Sequence, residues 1–160
     1  MFNMLVRNKL ELLYFVCIAG VAAGMAEIVW ITTYTSITQQ SSLYIAEQIS
    51  YTITGQGLGF AALYGIGVHI ILSILLTFVI VLWVIKVYPS LFKSKSWLIA
   101  TMCLILSGVW FINFFIILPW LNPAFVNIVP YSMRFISKNL FALTLAFFIC
   151  KMGGLTQLSH

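Results

Sequence analysis

The chain contains no aspartate and only three acids, Glu11, Glu27 and Glu47, among its 160 residues. A Ser-His-Asp set is therefore excluded. Glu11 and Glu47 are expected outside a membrane core and on opposite faces of it, which leaves no carboxylate pair for two-acid catalysis. Charge of either sign is scarce, at 7% of residues. There is no run of like charges and no basic face with interleaved aromatics, so neither nucleic acid nor nucleotide is an expected partner. Cys17, Cys103 and Cys150 lie singly in apolar runs and none forms a C-x-x-C, which predicts packed thiols rather than disulfides or metal ligands. Histidine occurs twice, as His69 and His160. A haem would need a second axial ligand at the depth of His69, and His160 lies in the opposite-side tail while Met102 is in the inner half of its span. Zinc or copper would need at least three donors, and His69 with Glu27 supplies two. Gly55-x-Gly57-x-Gly59 follows no strand, so it does not read as a phosphate cradle. The expectation is no catalytic residue, no metal and no cofactor in this chain alone, with bound lipids as companions.

What the chain has in abundance is apolar surface: 62% of residues are hydrophobic. A soluble domain of this size has too little interior to hide that much. Runs of about 20 apolar residues predict membrane-spanning helices. Four are expected, at about 12–33, 58–87, 97–118 and 135–151, in a single four-span domain covering 1–160. Arg7 and Lys9 precede the first, and Gly24-Met25-Ala26 could pass for a cleavage site. The apolar run continues to Ile31, however, which predicts an uncleaved span. Arg7, Lys9, Lys86, Lys93, Lys95 and Lys151 fall on one side, against Arg134 and Lys138 on the other. That bias puts both termini in the cytoplasm of a bacterial-type inner membrane. Trp30, Trp97 and Trp120 fall near span ends, where amphipathic rings prefer to lie. Between the first two spans, Ile45, Ile49 and Ile53 recur every fourth residue among Glu47, Gln48 and Ser50. The pattern predicts a short amphipathic surface helix over 42–54, with Ser42 as its cap. The predicted class is an all-α integral membrane four-helix bundle.

The first span organises the rest. Cys17, Gly20, Gly24 and Glu27 follow at steps of three and four and share one helical face. Small residues there let another helix approach closely, and the acid must point at protein or water rather than lipid. Gly65, His69, Ser73 and Thr77 share a face on the second span. Asn113 on the third and Lys138 with Asn139 on the fourth fall at a depth comparable to Glu27 and His69. The candidate intramembrane polar cluster is thus Glu27, His69, Asn113 and Lys138. Two readings remain open for it: a pocket that binds a small molecule, a quinone headgroup or a proton, and structural glue in which Glu27 pairs with Lys138 or His69.

Gly20-Val-Ala-Ala-Gly-Met-Ala-Glu27, Gly67-Val-His69-Ile-Ile-Leu-Ser73 with the apolar run into Tyr88-Pro89, and the Pro119–Pro123 turn resemble the YagU-like small bacterial inner-membrane proteins. The resemblance implies four spans and a poorly defined function. It matches His69 to a histidine of their second span. Their fourth span tends to open with another histidine where this sequence has Lys138, a departure that speaks against a two-histidine site and for a salt bridge to Glu27. With small loops and no catalytic set, the expected function is a non-catalytic accessory or structural subunit of a larger membrane complex, a respiratory or other redox one included. Its expected partners are the bilayer and other membrane-protein subunits. The alternative is a small transporter or channel-like protein with an intramembrane Glu27/His69 proton or ligand site.

Overall fold

The computed structural model describes residues 9–55, 59–87 and 94–155. The basic leader with Arg7, the glycine turn at 56–58, the basic loop at 88–93 and the tail with His160 lie outside the described residues, as does the side chain of Lys86. The order of elements is α1 (Lys9–Ile37), α2 (Ser42–Thr54), α3 (Ala61–Val87), α4 (Lys95–Ile112), a π turn (Asn113–Ile117), α5 (Leu118–Leu121), a 3-10 turn (Phe125–Asn127) and α6 (Tyr131–Leu155). No strand occurs among the described residues. Four stretches are long and apolar enough to cross a membrane: Lys9–Ile37, Ala61–Trp83, Lys95–Leu121 and Tyr131–Lys151. The protein is a multi-pass membrane protein by that measure.

The first, third and fourth spans run past their expected ends for local reasons, whereas the second covers Ala61–Val87, within its expected bounds. α1 has 29 residues, about 44 Å at 1.5 Å per residue, well beyond a hydrocarbon core of about 30 Å. Its threonine- and serine-rich end stays helical because Thr33 and Ser36 return their hydroxyls to the Val29 and Thr32 carbonyls, both at 2.8 Å. It closes where Gln39 adopts φ 57° and the Gln40 N–H reaches back to the Thr35 carbonyl at 2.9 Å. The third span continues beyond Leu118. Pro119 has no N–H to offer the preceding turn, and the backbone widens there into the π turn, with Leu118 N–H bonded to the Asn113 carbonyl. The fourth helix begins at Tyr131, four residues before its expected start at 135, because the Pro130 carbonyl accepts the Met133 and Arg134 N–H groups. Hydropathy alone misses this first turn, since Arg134 dilutes it.

α1 packs on both α3 and α6, and α6 on both α1 and α4. One apolar cluster draws on all four, with Val16, Ala19 and Ala23 of α1, Ile80 and Val81 of α3, Met102 and Leu106 of α4, and Phe141 and Leu145 of α6. The α1–α3 seam is the small-residue one. A Cβ on Gly20 would lie 2.7 Å from the Ile74 Cα, and one on Gly24 2.7 Å from the Ser73 Oγ. Cys17, the N-terminal member of that face, is half-buried.

α2 occupies the expected residues, and its isoleucine face is buried only in part. Its cap is Ser41, one residue before the expected Ser42, and accepts the Tyr44 N–H at 3.2 Å. The helix ends on Gly55, whose φ of 67° is in the left-handed region that glycine adopts at least cost. Ile45, Ala46 and Ser50 are buried, whereas Ile53 is 53% exposed. Beside the stripe, Gly65 of α3 admits the α2 backbone: a Cβ there would lie 1.8 Å from the Ala46 carbonyl oxygen.

Candidate functional site

The close α1–α3 seam has a direct consequence one turn further along. Gly24 rests on Ser73, and Ser73 donates its hydroxyl to the His69 carbonyl at 2.8 Å. His69 is thereby carried to the level of Glu27, with the Gly24 carbonyl facing its ring, and its Nε2 lies 3.6 Å from Glu27 Oε2. From the opposite side α6 brings Ser137 and Lys138. The Lys138 ammonium donates to both carboxylate oxygens, at 2.8 and 2.9 Å, and Ser137 Oγ donates to Oε1 at 3.2 Å. Glu27 is only 3% exposed, and Lys138, Ser137 and His69 surround its carboxylate. Such a pair is tolerated in a low-dielectric layer because both oxygens are hydrogen-bonded as well as neutralised. Lys138 also lies 5.6 Å from the centre of the Phe141 ring.

Three of the four residues expected to cluster therefore meet. Asn113 does not join them by hydrogen bond or ion pair. It opens the π turn and lines the same cavity from the α4 side. Asn139 turns away, donating to the Phe135 carbonyl at 2.9 Å.

That cavity measures about 490 Å³ and is walled by α1, α2, α3, the π turn, α5, the 3-10 turn and α6. Its polar residues include Glu27, His69, Asn113, Arg134, Ser137 and Lys138. The rest is largely apolar, with Ile28 and Ile31 from α1, Ile45 and Ile49 from α2, Leu72 from α3 and Phe114 from the π turn. α2 closes one end. Asn122, itself buried, donates to the Thr52 hydroxyl at 2.9 Å and accepts the Phe125 N–H at 3.1 Å, tying the loop before α6 to the lid. Trp30 Nε1 donates to the Met133 carbonyl at 3.0 Å, fixing α1 to the start of α6.

Arg134 is the functional residue that the sequence pattern did not single out. Treated as a loop charge marking membrane orientation, it is instead 5% exposed within the first helical turn of α6. Its Nη2 donates to the Val126 and Val129 carbonyls. Its guanidinium lies 4.7 Å from the centre of the Phe114 ring and 5.1 Å from that of Tyr131. The signal was present: Arg134, Ser137 and Lys138 follow at steps of three and one, and on a helix extended back to Tyr131 they share the Glu27-facing side.

No protein-family model matches the chain, and neither the curated proteins nor the solved structures contain a match. The arrangement itself offers a paired carboxylate, an ammonium, an imidazole and a guanidinium on one wall of an otherwise greasy chamber. Those groups can seat the polar head of a ligand or exchange a proton with it.

Proposed function

We propose that this chain is a membrane protein that binds a small amphipathic molecule in the chamber beneath α2, with Glu27, His69 and Lys138 on the wall that meets the polar end. The observation that carries this reading is the placement of the ion pair. A Glu–Lys pair serving packing alone would be expected inside a filled interface, yet this one borders about 490 Å³ of largely apolar space with His69 beside it. The four spans form a bundle with both termini cytoplasmic in a bacterial-type inner membrane, as the six-to-two distribution of basic residues favours. Kinship with the YagU-like proteins belongs to the same proposal and rests on the short motifs that suggest it.

The orientation has its own test. Cysteines substituted at positions within 38–54 and 122–132 should react with a membrane-impermeant maleimide applied from the periplasmic side, and cysteines at 90–96 should not. Labelling of the 90–96 set from that side would overturn the topology.

A second reading, an accessory subunit of a larger membrane complex such as a redox one, is favoured by α4. Its span is 17% buried, against 39% for that of α6, and Trp97 and Leu104 project outward. One preparation discriminates the two. After extraction in mild detergent, native mass spectrometry should show a small molecule retained by a chain free of other subunits. A stoichiometric partner chain with an empty chamber would favour the accessory role.

A further inference from the structure

The charges on the chamber wall do not balance. Among the described residues that line it, Glu27 is the one acid, and it faces two permanent cations, Lys138 and Arg134, leaving one positive charge in excess with His69 neutral. Glu27 is already engaged by Lys138 and Ser137. The carbonyls of Val126 and Val129 satisfy part of the Arg134 guanidinium without neutralising it, and its buried Nη1 has no hydrogen-bond partner among the described residues. The position compounds the excess. Arg134 lies in the first turn of the 25-residue α6, where the helix dipole disfavours a cation and favours an anion. Neither remaining acid can help. Glu47 is exposed on the outer side of α2, and Glu11 lies in the first turn of α1, far from the α2 end. A buried charge of this kind ordinarily has a counter-ion.

We propose that the counter-ion is the ligand: a single-chain amphiphile with an anionic head, the head seated against Arg134 and Lys138 and the chain lying along the apolar wall. This deepens the reading of the chamber as a binding site and rests on it. Arg134 and Lys138 are one helical turn apart on the same face, so a carboxylate or phosphate can bridge them. Ile28, Ile31, Ile49, Leu72 and Phe114 supply the surface for the chain, and the volume falls in the range of chambers that enclose molecules of this size.

The test uses the full chain in neutral detergent, titrated with the fluorescent polyene fatty acid cis-parinaric acid and, in parallel, with its methyl ester. The acid should bind roughly tenfold or more tightly than the ester, the range expected when a hydrogen-bonded charge is matched. Arg134→Gln should remove that preference, so that acid and ester bind alike. Because Arg134 also anchors the Val126 and Val129 carbonyls, two further variants keep the test decisive. Arg134→Lys retains the charge and should retain a weaker preference for the acid. Glu27→Gln removes the competing carboxylate and should raise affinity for the acid alone. Displacement by oleate or by lysophosphatidate then distinguishes a carboxylate from a phosphate head. Equal binding of acid and ester by the wild-type chain would overturn the anion assignment while leaving the chamber a binding site. Binding of neither would remove the binding site itself.

Discussion

Replacing Glu27 with leucine is expected to destabilise the protein by about 3 kcal/mol, the scale of a buried charge deprived of its counter-ion or of a lone charge held within a bilayer. The leucine fills similar space, so lost packing contributes little, and the effect comes from Lys138. Its ammonium now meets both carboxylate oxygens at 2.8–2.9 Å, and no other acid among the described residues lines the chamber. Lys138 cannot leave without giving up its place beside the Phe141 ring, and Ser137 loses its acceptor as well. Glu27→Gln should recover only part of that loss: the amide oxygen still accepts a hydrogen bond, but the Lys138 ammonium has no counter-ion and faces the amide nitrogen in place of one oxygen. The double variant Glu27→Leu with Lys138→Met should recover most of the loss, since apolar groups of matching volume replace a buried pair at little or no cost. Equilibrium unfolding in mixed micelles measures all three. A Glu27→Leu protein as stable as wild type would mean that the pair is solvated rather than enclosed.

Gly65→Val should have the second large effect, and it should act on the lid more than on the spans. A Cβ at 65 would stand 1.8 Å from the Ala46 carbonyl oxygen. That atom is backbone within a regular helix and cannot swing aside, so α2 must move away from α3. The burial of Ile45, Ala46 and Ser50 would be lost together, and overpacking of this kind ordinarily costs about 1–3 kcal/mol. The Asn122–Thr52 hydrogen bond would strain as α2 lifts. The thiol of a Ser50→Cys variant should change from unreactive to readily labelled when Gly65→Val is added, and retention of the proposed amphiphile should fall. The core cluster of the four spans lies elsewhere, around Met102 and Phe141, so the protein should still elute as a folded species. If the Ser50→Cys thiol stayed unreactive in the Gly65→Val background, α2 and α3 would not approach this closely.

Much of this architecture was legible in the residues themselves. Four long apolar helices follow from composition and run length, because in a bilayer each helix must satisfy its own backbone and does so within one local stretch of chain. A close seam on the Gly20 and Gly24 face of α1 follows from those two residues, since small residues at a step of four remove the main obstacle to close approach; that α3 fills it does not. A contact between Glu27 and Lys138 or His69 was expected on depth, because an acid on that face has few other partners in a chain with so little charge. The first turn of α6, the burial of Arg134, the docking of α2 through Ala46 and the chamber itself were not legible. Each depends on surfaces brought together from distant parts of the chain. Thr52 meets Asn122 across 70 residues and Glu27 meets Ser137 across 110, and hydropathy averages over one helix at a time. The sequence by itself determined which segments enter the membrane and which helix faces are small or polar. Only the tertiary structure decided that Arg134 lies inside rather than at the edge, and that the space beside Glu27 is left open, because packing voids are properties of several surfaces at once and leave no periodic trace in any one of them.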